Sequence, residues 1–141
     1  MKFLRSSIDS IKPNFIGDGK YAKWFPLFDA FENFVFNTKK KVKGKLIWFH
    51  GASVGEILSI IPLVEKLEKN KKIKQILITS NTLSSSKIIS EFKFKKVTHQ
   101  FFPIDVNFFT KKFLNYWKPT IAFFIDSEVW PNMLTNLNKN K

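Results

Sequence analysis

The sequence has 141 residues, of which 44% are hydrophobic, enough for one domain with a real core. Its formal charge is +13, carried almost wholly by lysine because Arg5 is the sole arginine; this balance favours polyanions (phosphorylated lipid, an anionic membrane, nucleic acid) without choosing among them. The absence of cysteine excludes disulfides, thiolate metal sites and cysteine nucleophiles, and no run reaches the roughly 18 apolar residues that span a bilayer.

The opening residues, "MKFLRSSIDS", lack the apolar stretch and small-residue cleavage site of a secretory signal, so a cytoplasmic location is expected. Residues 1–20, with Pro13, Gly17 and Gly19, read as irregular. In "YAKWFPLFDAFENFVF" (21–36), Trp24, Leu27, Phe28, Phe31 and Phe34 or Val35 recur near helical spacing, and Pro26 suits a first helical turn. The lysine-rich "TKKKVKGK" (38–45) reads as a solvated linker. Residues 1–44 are therefore an N-terminal segment, and 45–141 a folded domain.

From Lys45 the pattern changes. "KLIWF" (45–49), "QILITS" (75–80) and "TIAFFI" (120–125) are continuous apolar runs that predict strands covered on both faces, with "VTHQFF" (97–102) a weaker one. Helices are predicted over 54–69, 83–92 and 106–116, and from Pro131 onward. This alternation implies an α/β fold, a Rossmann-like parallel sheet with flanking helices. Right-handed crossovers gather the strand-to-helix loops at one sheet edge, where such sheets bind ligands. Those loops are "HGASVGE" (50–56), "SNTLSSS" (80–86) and "DSEVWPN" (126–132).

In the first loop, Gly51, Ala52, Ser53 and Gly55 keep the backbone bare where a strand turns into a helix. Unpaired N–H groups there suit an anionic or hydroxyl-rich ligand. Glu56 falls in the first helical turn, where the dipole favours its ionised form, and it can accept a proton from an attacking hydroxyl. Ser53 and Glu56, three apart, equally fit a capping box in which nothing reacts. Both readings stand at this point. The loop has neither the glycine spacing of a dinucleotide fingerprint nor the Gly-Lys-Ser/Thr of a P-loop.

The remaining polar residues are less specific. His50 at a strand end and His99 within a weak strand suit structural hydrogen bonding, and two histidines without clustered carboxylates argue against a metal site. Asp126 and Glu128 make an acidic corner that either binds a ligand or caps the helix begun by Pro131. The hydroxyls of Thr79, Ser80, Thr82, Ser84 and Ser85, with Asn81, can cap or bind. Pro62 inside a predicted helix should cost on the order of 3 kcal/mol and kink it.

"WFHGASVGEILSIIPLVEKL", "ILITSNTLSSSKI", "VTHQFFPIDV" and "PTIAFFIDSEVWPNML", in this order, resemble the Kdo transferases, which attach 3-deoxy-D-manno-octulosonic acid (Kdo) to the lipid A precursor. The resemblance covers about residues 45 to 134 and is anchored by "HGASVGE" and "SEVWPN". It implies the N-terminal, acceptor-side half of a GT-B glycosyltransferase. Kdo would come from CMP-Kdo, held mainly by a C-terminal domain, with inversion and without a cofactor. The family's general base falls on Glu56, with Gly51, Ser53, Gly55, Asp126 and Glu128 on the acceptor side. Asp126 stands where the family's "ETELWPN"-like stretch has its first glutamate, and "TLSS" stands where "TPTG" is usual. The family continues through a whole second domain, so this chain is expected to be an acceptor-side fragment unable to transfer Kdo alone. Its expected partners are the lipid A precursor and the anionic cytoplasmic face of the inner membrane, bound peripherally, with 21–36 and Lys39–Lys41 at the interface or docked on the core. Two further readings remain: another GT-B sugar enzyme half, or a non-enzymatic basic module for anionic lipid or nucleic acid. Against nucleic acid, most aromatics fall at core positions.

Overall fold

The computed structural model describes residues 40–126 and 129–139. By internal contacts the chain divides into two units, residues 1–34 and 35–141, and every described residue belongs to the second. The expected aromatic helix at 21–36 lies outside the described residues.

Four strands and four helices alternate: β1 (Lys45–His50), α1 (Val54–Lys69), β2 (Ile73–Ser80), α2 (Leu83–Glu91), β3 (Val97–Phe101), α3 (Asn107–Trp117), β4 (Ile121–Phe124) and α4 (Pro131–Lys139). The strands form one parallel sheet in the order β3-β2-β1-β4. The expected Rossmann-like arrangement is what the chain adopts, and boundaries differ by two residues or fewer from the sequence pattern. The strand order reverses between β1 and β4, which makes the carboxyl end of that pair the topological switch point.

Side-chain alternation along β1 divides the core. Phe49 joins Ile57, Ile60 and Val64 of α1, Ile76 and Ile78 of β2, and Ile89 of α2 on one face. Leu46 and Trp48 join Leu77 of β2, Phe113, Leu114 and Trp117 of α3, and Met133 of α4 on the other. The period of two sends neighbours along a strand to opposite faces, so an unbroken apolar run means both are covered.

Two elements depart from expectation. "TIAFFI" reads as a strand buried on both faces, yet Ile121 and Phe123 are 50% and 42% exposed. The reason is position: β4 is at the sheet edge, and the α1/α2 core is centred on β1 and β2. In β3 the polar residues point inward: Thr98 and Gln100 are buried while Val97, His99 and Phe101 are half-buried. Gln100 accepts from Trp117 Nε1 at 2.8 Å, and Thr98 Oγ1 accepts from Gln75 Nε2 at 2.9 Å, so the buried polar groups are satisfied.

α1 runs through Pro62 as a single 16-residue helix. Pro62 removes the N–H that would bond the carbonyl of Leu58. Both residues are exposed, so water can meet that carbonyl and the cost stays at the surface. At the amino edge of the sheet, Val42 N donates to Gln75 Oε1 at 2.8 Å and Gln75 Nε2 to Lys40 O at 3.2 Å. The basic linker thus enters at the edge opposite the three loops.

Candidate functional site

The strand order places the first loop in the middle of the carboxyl edge, with the other two on either side. Gly51 N donates to Thr79 O at 3.1 Å, and Ile125 N to His50 O at 2.8 Å. These bonds tie the ends of β2 and β4 to the start of the β1–α1 turn. The convergence expected from the topology is therefore present for Gly51, Ser53, Gly55, Glu56 and Asp126. Glu128 lies outside the described residues.

Ser53 is the N-cap of α1. Its Oγ accepts from Glu56 N at 3.3 Å and donates to Glu56 Oε1 at 2.6 Å. Glu56 Oε2 accepts from Ala52 N at 2.9 Å. The capping arrangement is formed, and the carboxylate lies back across the turn instead of extending into solvent. Each oxygen has one of these bonds and retains accepting capacity, and the side chain is only half-buried. Capping and proton acceptance are thus compatible at this carboxylate.

The two glycines beside it differ. A Cβ on Gly51 would come within 3.2 Å of Glu56 Cβ and 3.1 Å of Ile57 Cδ1; a small residue at 51 leaves room for both side chains. A Cβ on Gly55 would meet nothing within 4 Å. Gly55 therefore leaves open space at the mouth of the first crossover.

His50, beneath the loop, is 1% exposed. Its Nδ1 lies 3.0 Å from Thr79 Oγ1 and 3.2 Å from Thr79 O. The Thr79 hydroxyl donates to Phe49 O at 3.4 Å and accepts from Trp48 Nε1 at 2.9 Å. A carbonyl can only accept, so the network assigns the proton to Nδ1. The ring stacks on Phe102 at 3.9 Å and meets Phe124 and Trp130 edge-on. Burial lowers its pKa from 6.5 to about 4, opposed by the Thr79 hydrogen bond and by the charge of Glu56. His50 is a neutral structural imidazole, as its strand-end position suggested.

In the second loop, Thr82 caps α2, accepting from Ser85 N at 3.2 Å. Ser80 Oγ pairs with His99 Nε2 at 2.8 Å. These hydroxyls are engaged in local structure. In the third loop, Asp126 is exposed and has φ 68°, a left-handed conformation that aspartate tolerates better than most residues. Trp130 covers His50 and Phe102.

Asp105, between β3 and α3, reaches the start of α4 through Asn132 and Met133. No sequence pattern marks it, because its partners are 27 and 28 residues away. A groove of about 950 Å³ runs along β4, lined by residues that include Leu114, Ile121, Phe124, Leu134 and Leu137. None of the residues of the first and second loops lines it.

A doubly wound parallel sheet with a capped, accessible carboxylate at its switch point places this chain among the Rossmann-like α/β domains. The model of the family described as 3-deoxy-D-manno-octulosonic-acid transferase (kdotransferase) matches residues 29–141, and the chain belongs to that family. It is 43% identical over 108 residues to the 3-deoxy-D-manno-octulosonic acid transferase of Rickettsia bellii, covering 77% of this chain and 26% of the relative. It is 46% identical over 86 residues to that of Rickettsia prowazekii, covering 61% and 19%. The probable mitochondrial 3-deoxy-D-manno-octulosonic acid transferase of Arabidopsis thaliana is 34% identical over 103 residues, covering 73% and 23%. The chain thus spans about a quarter or less of the length of these relatives.

Proposed function

We propose that this chain is the acceptor-side domain of a GT-B glycosyltransferase that moves Kdo from CMP-Kdo to the lipid A precursor, with Glu56 as general base. The observation that carries the reading is the half-buried Glu56 carboxylate, at the switch point beside the open space over Gly55. Family membership supports the sugar transferred, since the relatives are named for it.

In this mechanism an acceptor glucosamine hydroxyl enters over Gly55 and hydrogen-bonds to Glu56, beside or in place of Ser53. The carboxylate takes the hydroxyl proton as that oxygen bonds to the anomeric carbon of Kdo. The bond from that carbon to CMP breaks on the opposite side, its electron pair leaving on the phosphate, so configuration inverts. Ser53 and Ala52 hold the carboxylate in place before the acceptor arrives, and preorganisation of this kind lowers the barrier. Asp126 borders the acceptor on the β4 side, and the family resemblance assigns Glu128 to acceptor binding as well. CMP-Kdo is held by a second domain, and no cofactor takes part. Lysines draw the domain to lipid A phosphates and to the anionic face of the inner membrane. No helix among the described residues is long and apolar enough to cross a membrane.

The test replaces the corresponding segment of the Rickettsia bellii transferase with residues 29–141 and measures Kdo transfer. Glu56→Gln should fold, with stability within about 1 kcal/mol of wild type because Gln also caps. It should lose roughly 10²–10⁴-fold in turnover. Unchanged turnover in a folded Gln variant would return Glu56 to a capping role alone.

A further inference from the structure

α4 starts at Pro131. Trp130, just before it, carries an indole that donates but cannot accept, and Pro131 has no N–H. The next two amides, of Asn132 and Met133, are orphan donors of the kind every helix start must satisfy. Both are met by one carboxylate from another part of the chain. Asp105 Oδ2 accepts from Asn132 N at 3.0 Å and Oδ1 from Met133 N at 2.8 Å. Asn132 Nδ2 answers by donating to Asp105 O at 2.7 Å, and it lies 3.5 Å from Oδ2.

This clasp fixes the chain just after Trp130, whose ring lies against His50 and Phe102. After β4, Ile125 N donates to the carbonyl of the same His50 at 2.8 Å. The middle of α4 is held independently, Asn136 Nδ2 donating to Thr110 Oγ1 at 2.7 Å and Asn107 Oδ1 at 2.9 Å. The fold thus separates what holds the helix from what sets its first turn.

We propose that Asp105 is a positioning residue: acting as a remote cap on α4, it sets Trp130 over His50 at the carboxyl end of β1. Its meaning for acceptor binding rests on the function proposed above. An anionic cap at a helix start is favoured by the macrodipole as well as by the hydrogen bonds. Asparagine at position 105 would keep the shape but offer one acceptor where two donors wait.

The experiment measures amide exchange in the 141-residue chain, together with its affinity for the lipid A precursor in neutral detergent micelles. Asp105→Asn should speed exchange at Asn132, Met133 and Ile125 by about 10-fold, the scale of one charge-assisted hydrogen bond, with β1 and β2 amides unchanged. Affinity for the precursor should fall by about as much. Asn136→Ala should lower global stability while leaving affinity and the relative exchange of those three amides as in wild type. Faster exchange confined to Asn132 and Met133, with Ile125 and affinity unaltered, would reduce Asp105 to a local cap and overturn the proposal. So would loss of affinity in both variants in proportion to stability. Failure of the wild-type chain to bind precursor would count against the acceptor reading instead, and Ile125 exchange would still decide the role of Asp105.

Discussion

His50 ends β1 under Phe102, Phe124 and Trp130, where its imidazole has exchanged water for Thr79 and ring faces. Because burial holds its pKa at about 4 against 6.5 in the unfolded chain, the folded state keeps it neutral while the unfolded state takes up a proton. Stability from this residue is therefore complete above pH 6.5 and is lost as pH falls toward 4, by about 3 kcal/mol. The Hε1 resonance of His50 should stay flat from pH 7.5 to 5 while the urea midpoint declines; a titration centred near 6.5 would contradict this. Gly55 offers a second test at the same scale. Its φ is not left-handed and its Cβ direction is empty, so Gly55→Ala should stabilise α1 by about 0.5–1 kcal/mol. If the space belongs to an acceptor, the same variant should raise KM for the lipid in the chimaeric transferase. The glycine at 51 was readable as a close approach, but only coordinates reveal that what approaches is Ile57 and Glu56 of the protein's own helix.

Among elements, β2 does the most to organise the interior. Thr79 accepts from Trp48 Nε1, lies within bonding distance of His50 Nδ1 and donates to Phe49 O, joining one strand to the next through a single hydroxyl. Thr79→Val keeps the shape and strips the buried partners of this oxygen, at about 1–3 kcal/mol for a donor left unsatisfied. Denaturant unfolding should show a loss of about 3 kcal/mol with an unchanged m-value. β3 explains why the strand at 97–102 looked weak. Its inward residues are Thr98 and Gln100, so the apolar alternation points the wrong way for a core strand. Periodicity identifies an extended segment but cannot say that a buried face will be polar, because the compensating donors sit on β2 and α3.

At the scale of the whole sheet, among the described residues, the uneven feature is β4. It is an edge strand with half-exposed Ile121 and Phe123 on one face and a groove lined by Ala122 and Phe124 beside it. An open, apolar edge is a pairing hazard. Ile121→Lys should therefore reduce concentration-dependent association in sedimentation equilibrium and shift stability by less than about 0.5 kcal/mol. Equal association of both proteins would show that the β4 edge does not drive pairing.

The order of elements, the parallel sheet, the edge at which its loops meet and the two anchor motifs were all legible in the sequence. Apolar periods and turn residues are local properties, and they repeat the physics of single strands and helices. Tertiary structure alone decided that His50 is neutral, that β3 buries its polar side, and that Asp105 caps a helix begun 26 residues later. Each of these depends on which distant group supplies a hydrogen bond or removes water, and distance along the chain carries no record of that.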